Sequence, residues 1–199
     1  MRVFIKSASY FLHPILMPLL GSLLYFVLTP RFSPDPIAKA KILAISILTI
    51  FIPIVFFFLL KNLKIIQSVH LRSVQERKIP LLFFCIILLT VNNFILKSYE
   101  QTELYFFFTC ILYSNMLALI LAYFKVKASL HMMGIMGVLA FITMLSFLYQ
   151  TNMIYLISLL IFLMGWIATS RLQLKAHTGK ELVWGASIGI IPYLSLLWY

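Results

Sequence analysis

Seven apolar stretches, at residues 10–29, 40–60, 79–96, 104–124, 129–149, 152–169 and 182–198, follow one another with short polar links between them. Each is about 17–21 residues long, enough for an α-helix to cross the roughly 30 Å of a bilayer's hydrocarbon. Of the 199 residues 63% are hydrophobic and 11% charged, more apolar surface than a soluble domain of this length can bury. The solvent is therefore lipid, where every backbone N–H and C=O needs a partner within the protein. Helices meet that demand, and the period-2 alternation of a membrane β-barrel is absent. The expected fold is all-α, a polytopic membrane helical bundle of about seven transmembrane helices. It forms a single transmembrane domain over residues 1–199.

Arg2 and Lys6 precede the first run, as in a secretory signal peptide, but the run is long and no small-x-small cleavage site follows it. It is expected to stay as a helix. Cys85 and Cys110 both lie inside apolar runs and read as buried small hydrophobes, not as a disulfide. Among the links, PRFSPDPIAK at 30–39 is proline-rich and is expected to be irregular. Residues 61–78 form the longest link. Ile65, Ile66, Val69 and Leu71 among Lys64, Arg72 and Arg77 predict an amphipathic helix lying at the interface. KSYEQTE at 97–103 is polar and acidic, and YQTN at 149–152 predicts a tight helical hairpin.

Seven crossings sort these links onto two faces. The amino terminus, 61–78, 125–128 and 170–181 share one, which carries Arg2, Lys6, Lys61, Lys64, Arg72, Arg77, Lys78, Lys125, Lys127, Arg171, Lys175 and Lys180. The other carries Arg31, Lys39, Lys41 and Lys97. The positive-inside rule puts the basic face in the cytoplasm. If Arg72, Arg77, Lys78, Lys127 and Arg171 serve chemistry instead, the bias falls to seven against four, and the side of the active site stays open. The excess of 16 basic over 5 acidic residues fits attraction to anionic lipid, or a polyanionic substrate. Without a long soluble basic patch, nucleic acid is not an expected partner.

The links richest in chemistry fall on the basic face. They supply Arg72, Arg77, Lys78 and Pro80; then Lys127, Ser129 and His131; then Arg171, His177 and Glu181. Charged and imidazole groups at membrane depth are costly, so their convergence points to a purpose. Of the acids Asp35, Glu76, Glu100, Glu103 and Glu181, only Glu76 and Glu181 lie on this face. Metal-assisted phosphate chemistry wants more carboxylates, so no metal and no cofactor are expected. What remains is a basic pocket with two histidines. Arg and Lys can neutralise phosphoryl oxygens, one histidine can attack phosphorus, and the other can protonate the leaving oxygen.

SRLQLKAHTGKE at 170–181 resembles the third signature of the type-2 phosphatidic-acid phosphatase family, S-R-x5-H-x3-D, with Ser170, Arg171 and His177 in place and Glu181 where the family has Asp. SLH at 129–131 resembles its second signature, P-S-G-H. Ser129 and His131 match, while Ala128 and Leu130 replace Pro and Gly. For the first, K-x6-R-P, Arg72 and Pro80 fit the ends, but Ile79 takes the Arg position, with Arg77 and Lys78 just before it. His13, Pro14 and Pro18 make the chain similar also to a divergent group of bacterial membrane proteins with H-P-x3-P near the start. The resemblance implies an integral protein of a bacterial inner membrane, with a six-helix core plus an extra helix. It would hydrolyse a phospholipid or polyprenyl (pyro)phosphate by a metal-independent phosphohistidine mechanism. It implies His177 as nucleophile, His131 as general acid, Glu181 as the group orienting His177, and Arg171 and Ser129 as phosphate ligands. The roles of the first signature fall to Lys127, Arg72, Arg77 or Lys78.

Structural readings stand beside these. Thr178 and Glu181 fit a T-x-x-E capping box. Gly185-x3-Gly189 fits helix packing. His131 taken alone reads as an interfacial histidine bonded to a carbonyl, Arg171 and Lys175 as headgroup anchors, and His13 and His70 as structural. Asn92, Asn93 and Asn115 are expected to bond one another or neighbouring helices. The alternative functions are a catalytically degenerate membrane protein and a small transporter; a non-catalytic assembly protein would need no histidine pair.

Overall fold

The computed structural model describes residues 2–31, 33–67 and 73–196, and the regular elements among them are all helical. α1 (Arg2–Phe11) and α2 (Met17–Leu28) are separated by a kink. Pro14 disfavours helical backbone at the residue before it. His13 is accordingly extended, and its Nδ1 accepts from the Ile15 N–H at 3.3 Å. There follow α3 (Asp35–Asn62), α4 (Gln75–Ile95), α5 (Thr102–Tyr123), α6 (Leu130–Leu148), α7 (Ile154–Gln173) and α8 (Gly179–Leu196). Among the described residues six segments are long and apolar enough to cross a membrane: Ser7–Leu28 and α3 to α7. α8, described as far as Leu196, holds the expected seventh run behind a polar first turn of Gly179, Lys180 and Glu181, with Pro192 inside it.

Two links differ from expectation. Helix begins at Asp35, within the proline-rich link, because proline in a first turn removes a donor that would have no partner there. The described part of 61–78 is no interfacial helix before Gln75. α3 ends at Asn62, Lys64 takes φ 58°, and the N–H groups of Ile65 and Ile66 turn back to the Leu60 carbonyl. Ile66 is buried with Leu60 against Phe56 and Phe57. Val69, His70, Leu71 and Arg72 lie outside the described residues.

The same closure recurs at Lys125, Gln150 and Lys175, each at positive φ, with the N–H of the following residue bonding the carbonyl five positions back. Glycine usually takes this place. Lysine puts a cation beside the negative end of the helix dipole instead, which gives Lys64, Lys125 and Lys175 a structural reason to be there. The hairpin expected at 149–152 forms through this closure at Gln150.

In the core, Phe107 stacks on Phe141 with ring centroids 4.4 Å apart. The ring fits because Gly21 has no Cβ; one built there would lie 2.2 Å from it. Asn115 donates to the Leu81 carbonyl at 2.7 Å and Asn92 to Thr109 Oγ1 at 3.1 Å, tying α4 to α5, while Asn93 is exposed. Both cysteines are buried and free.

At the end of the bundle opposite the amino terminus lies a cluster that the polar reading of 97–103 does not anticipate. Glu103 is buried at the start of α5. Its carboxylate accepts from Tyr149 Oη at 2.8 Å and Tyr25 Oη at 3.2 Å, and pairs with Arg31 at 2.9 Å. A buried carboxylate needs such partners. Glu103→Gln keeps most of the shape but loses the ion pair with the half-exposed Arg31. It is expected to lower stability by about 1 kcal/mol, read as thermal unfolding in detergent; an unchanged midpoint contradicts this role.

Candidate functional site

Four segments meet at the other end of the bundle, and hydrogen bonds fasten them. Arg77 Nη1 donates to the Ala128 carbonyl at 2.7 Å, joining the start of α4 to the link before α6. Lys127 Nζ donates to the Ala176 carbonyl at 3.0 Å, and the Ser129 N–H to the Glu181 carbonyl at 2.9 Å. Arg171 Nη1 donates to Ser9 Oγ at 3.0 Å, which brings in α1. The links expected on one face therefore do come together.

The position of His177 follows from how α7 ends. With Lys175 at φ 50°, the Ala176 N–H bonds the Arg171 carbonyl at 3.1 Å, and the His177 N–H reaches the same oxygen at 3.4 Å. The five-residue spacer between Arg171 and His177 is thus one helix closure. α8 then starts on the expected capping box. Glu181 N–H donates to Thr178 Oγ1 at 3.4 Å, and Thr178 N–H to Glu181 Oε2 at 3.2 Å. The same Oε2 lies 2.7 Å from His177 Nδ1, so one carboxylate both caps α8 and bonds His177.

His177 is buried and Glu181 partly so. Burial drives the His177 imidazole below its ordinary pKa; the Glu181 hydrogen bond opposes this, while the nearby Arg77 and Lys127 add to it. The ring is therefore neutral at pH 7. With Nδ1–H donated to Glu181, Nε2 keeps its lone pair. Burial also lowers the pKa of the Lys127 ammonium, which lies 3.9 Å from Glu181 Oε2. His177, Thr178, Glu181 and Lys127 line an open cleft of about 310 Å³, together with Leu172, Lys175 and Ala176.

His131 and Arg171 do not line that cleft. They form an adjoining cluster, within electrostatic range of one another and with His131 in range of His177. His131 Nε2 lies 3.2 Å from the Ser9 carbonyl, the partner that an interfacial histidine needs, and its ring meets that of His13 edge-on at 5.3 Å. Ser9 Oγ also lies 2.9 Å from Ser170 Oγ. Two buried polar atoms of these segments, Ser129 Oγ and Arg171 Nε, have no hydrogen-bond partner among the described residues. Ser129 is the residue before α6, yet its side chain caps nothing.

Arg77 joins the two clusters, in range of both Glu181 and Arg171. Lys78 is taken up elsewhere, its Nζ 4.3 Å above the Tyr123 ring. Arg72 is outside the described residues. Sequence reasoning misses Ser9, because KSASYF matches no spacing; only the sharing of a face by the amino terminus and 170–181 points toward it.

Among the described residues no three His, Cys, Asp or Glu side chains are grouped closely enough to hold a metal ion. No family model, no curated protein and no solved structure matches the chain.

Proposed function

We propose that this chain is a membrane lipid phosphatase of the type-2 phosphatidic-acid phosphatase kind, with α8 as the seventh helix beside a six-helix core. It hydrolyses a phospholipid or polyprenyl (pyro)phosphate through a phosphohistidine. The observation that carries this reading is the company of the His177–Glu181 pair. Two residues bonded to it through the backbone, Ser129 to Glu181 and Arg171 to His177, each carry a buried group suited to a phosphoryl oxygen, Ser129 Oγ and Arg171 Nε, with no partner among the described residues. Buried polar groups in proteins are nearly always satisfied, so these two orphaned donors favour a ligand.

In this scheme His177 Nε2 attacks phosphorus, a P–N bond forms, and the P–O bond to the lipid alcohol breaks. Glu181 stabilises the charge left on the imidazole, its Nδ1–H bond strengthening as that charge develops. Arg171, Arg77 and Lys127 neutralise the phosphoryl oxygens. His131 has Nε2 on the Ser9 carbonyl, so it delivers the leaving-group proton from Nδ1; Nδ1 takes that proton from solvent when a bound phosphoryl dianion supplies the counter-charge. Water then attacks the phosphohistidine, His131 accepts its proton, and phosphate leaves His177 neutral again.

The test is phosphate release from phosphatidate, lysophosphatidate and polyprenyl mono- and diphosphates in detergent. Activity is expected to persist in EDTA, because the site's charge comes from arginine and lysine. Its acid limb is expected to lie below the ordinary histidine value of 6.5, since the nucleophile must be neutral and burial keeps it so. Activity abolished by chelator and restored by magnesium, or an acid limb at or above 6.5, contradicts the proposal.

A further inference from the structure

α1 packs along α7 and brings one residue, Ser9, against two basic groups at once. Its hydroxyl accepts from Arg171 Nη1 at 3.0 Å, and its carbonyl lies 3.2 Å from His131 Nε2. A guanidinium recognises an oxyanion through a planar fork of donors whose directions are set together. Holding Nη1 therefore fixes where the buried Nε–H points, and this Nε has no partner among the described residues. A carbonyl that accepts the Nε2–H of an imidazole likewise selects the tautomer and turns Nδ1 to the opposite side.

We propose that Ser9 is a positioning residue of the phosphoryl site. One residue of the amino-terminal helix sets both Arg171 and His131 to receive a tetrahedral oxyanion, so α1 is part of the site. The inference rests on the phosphoryl reading given above.

The test uses the full chain in detergent, with orthovanadate as the tetrahedral probe and binding read by calorimetry. Ser9→Ala is expected to weaken orthovanadate binding about 10-fold, the loss of one charge-assisted hydrogen bond and of a fixed guanidinium. Ser9→Thr, which keeps the hydroxyl, is expected to bind within about threefold of the unsubstituted protein. Ser9→Ala also leaves Ser170 Oγ without this partner and is expected to unfold at a lower temperature, so the binding of each variant is read well below its own unfolding midpoint. The loss is expected whether the oxyanion arrives free or on a lipid. Dioctanoyl phosphatidate displacing vanadate at lower concentration than inorganic phosphate identifies the lipid source. Ser9→Ala binding like the unsubstituted protein, or Ser9→Thr falling as far as Ser9→Ala, overturns the role of Ser9 alone. An unsubstituted protein that binds no orthovanadate overturns the phosphoryl reading, and this inference with it.

Discussion

His177→Ala is expected to lower turnover roughly 1,000-fold or more, on lipid phosphates and on p-nitrophenyl phosphate alike. The helix closure at Lys175 sets His177 beside the Arg171 carbonyl. Glu181 Oε2 holds Nδ1 at 2.7 Å, which leaves on Nε2 the lone pair that the proposed attack needs. The neighbouring hydroxyls of Ser170 and Thr178 do not replace it. Ser170 Oγ is turned to Ser9, and Thr178 Oγ1 accepts from the Glu181 backbone. His131→Ala should behave differently. A general acid matters when the leaving oxygen is a poor one, and p-nitrophenolate departs unaided. His131→Ala is expected to lose about 100-fold on lipid phosphate and less than about threefold on p-nitrophenyl phosphate. Equal losses on the two substrates would reverse or remove the assignment of acid and nucleophile.

The second large effect concerns the contact that holds α8 against α6. A Cβ at Gly185 would lie 2.4 Å from the Ser129 carbonyl oxygen and 3.1 Å from Met132 Cβ. The obstacle is backbone, so no side chain can turn away to admit it. Gly185→Ala must push α8 off α6 and stretch the 2.9 Å bond from Ser129 N–H to the Glu181 carbonyl. The expected cost is roughly 2–3 kcal/mol of stability. Activity should fall by more than the folded fraction does, because Ser129 and Glu181 move apart. Gly165→Ala is the control: nothing lies within 4 Å of its Cβ position, and it is exposed in α7. Gly185→Ala with unchanged unfolding and activity would show that the two helices are not held at this distance.

The helices are legible in the sequence because lipid leaves a long apolar run one way to satisfy its backbone. Six such segments follow directly. The polar turn before the last run is harder to read, because Glu181 serves the capping box and His177 together. The end of α3 escapes a reading by periodicity. Ile65 and Ile66 have amphipathic spacing, yet a lysine at positive φ closes the helix before them, where glycine would have announced a stop. The convergence of Arg77, Lys127, Ser129, Arg171 and Glu181 follows from counting crossings. The division of the histidines between a cleft and an adjoining cluster does not, since it rests on tertiary contacts: His177 is held by Glu181, while Ser9 of α1 meets His131 and Arg171. Glu103 is hidden for a related reason. It stands in a polar sequence, and only tertiary packing brings Tyr25, Tyr149 and Arg31 around it.

A covalent phosphohistidine at His177 can be trapped by acid-sparing rapid quench with lipid phosphate labelled at phosphorus, followed by peptide mapping. Alkali-stable, acid-labile label is expected on the peptide containing His177, formed at least as fast as turnover and absent from His177→Ala. Phosphate release without any labelled protein, or label that persists in His177→Ala, would contradict it.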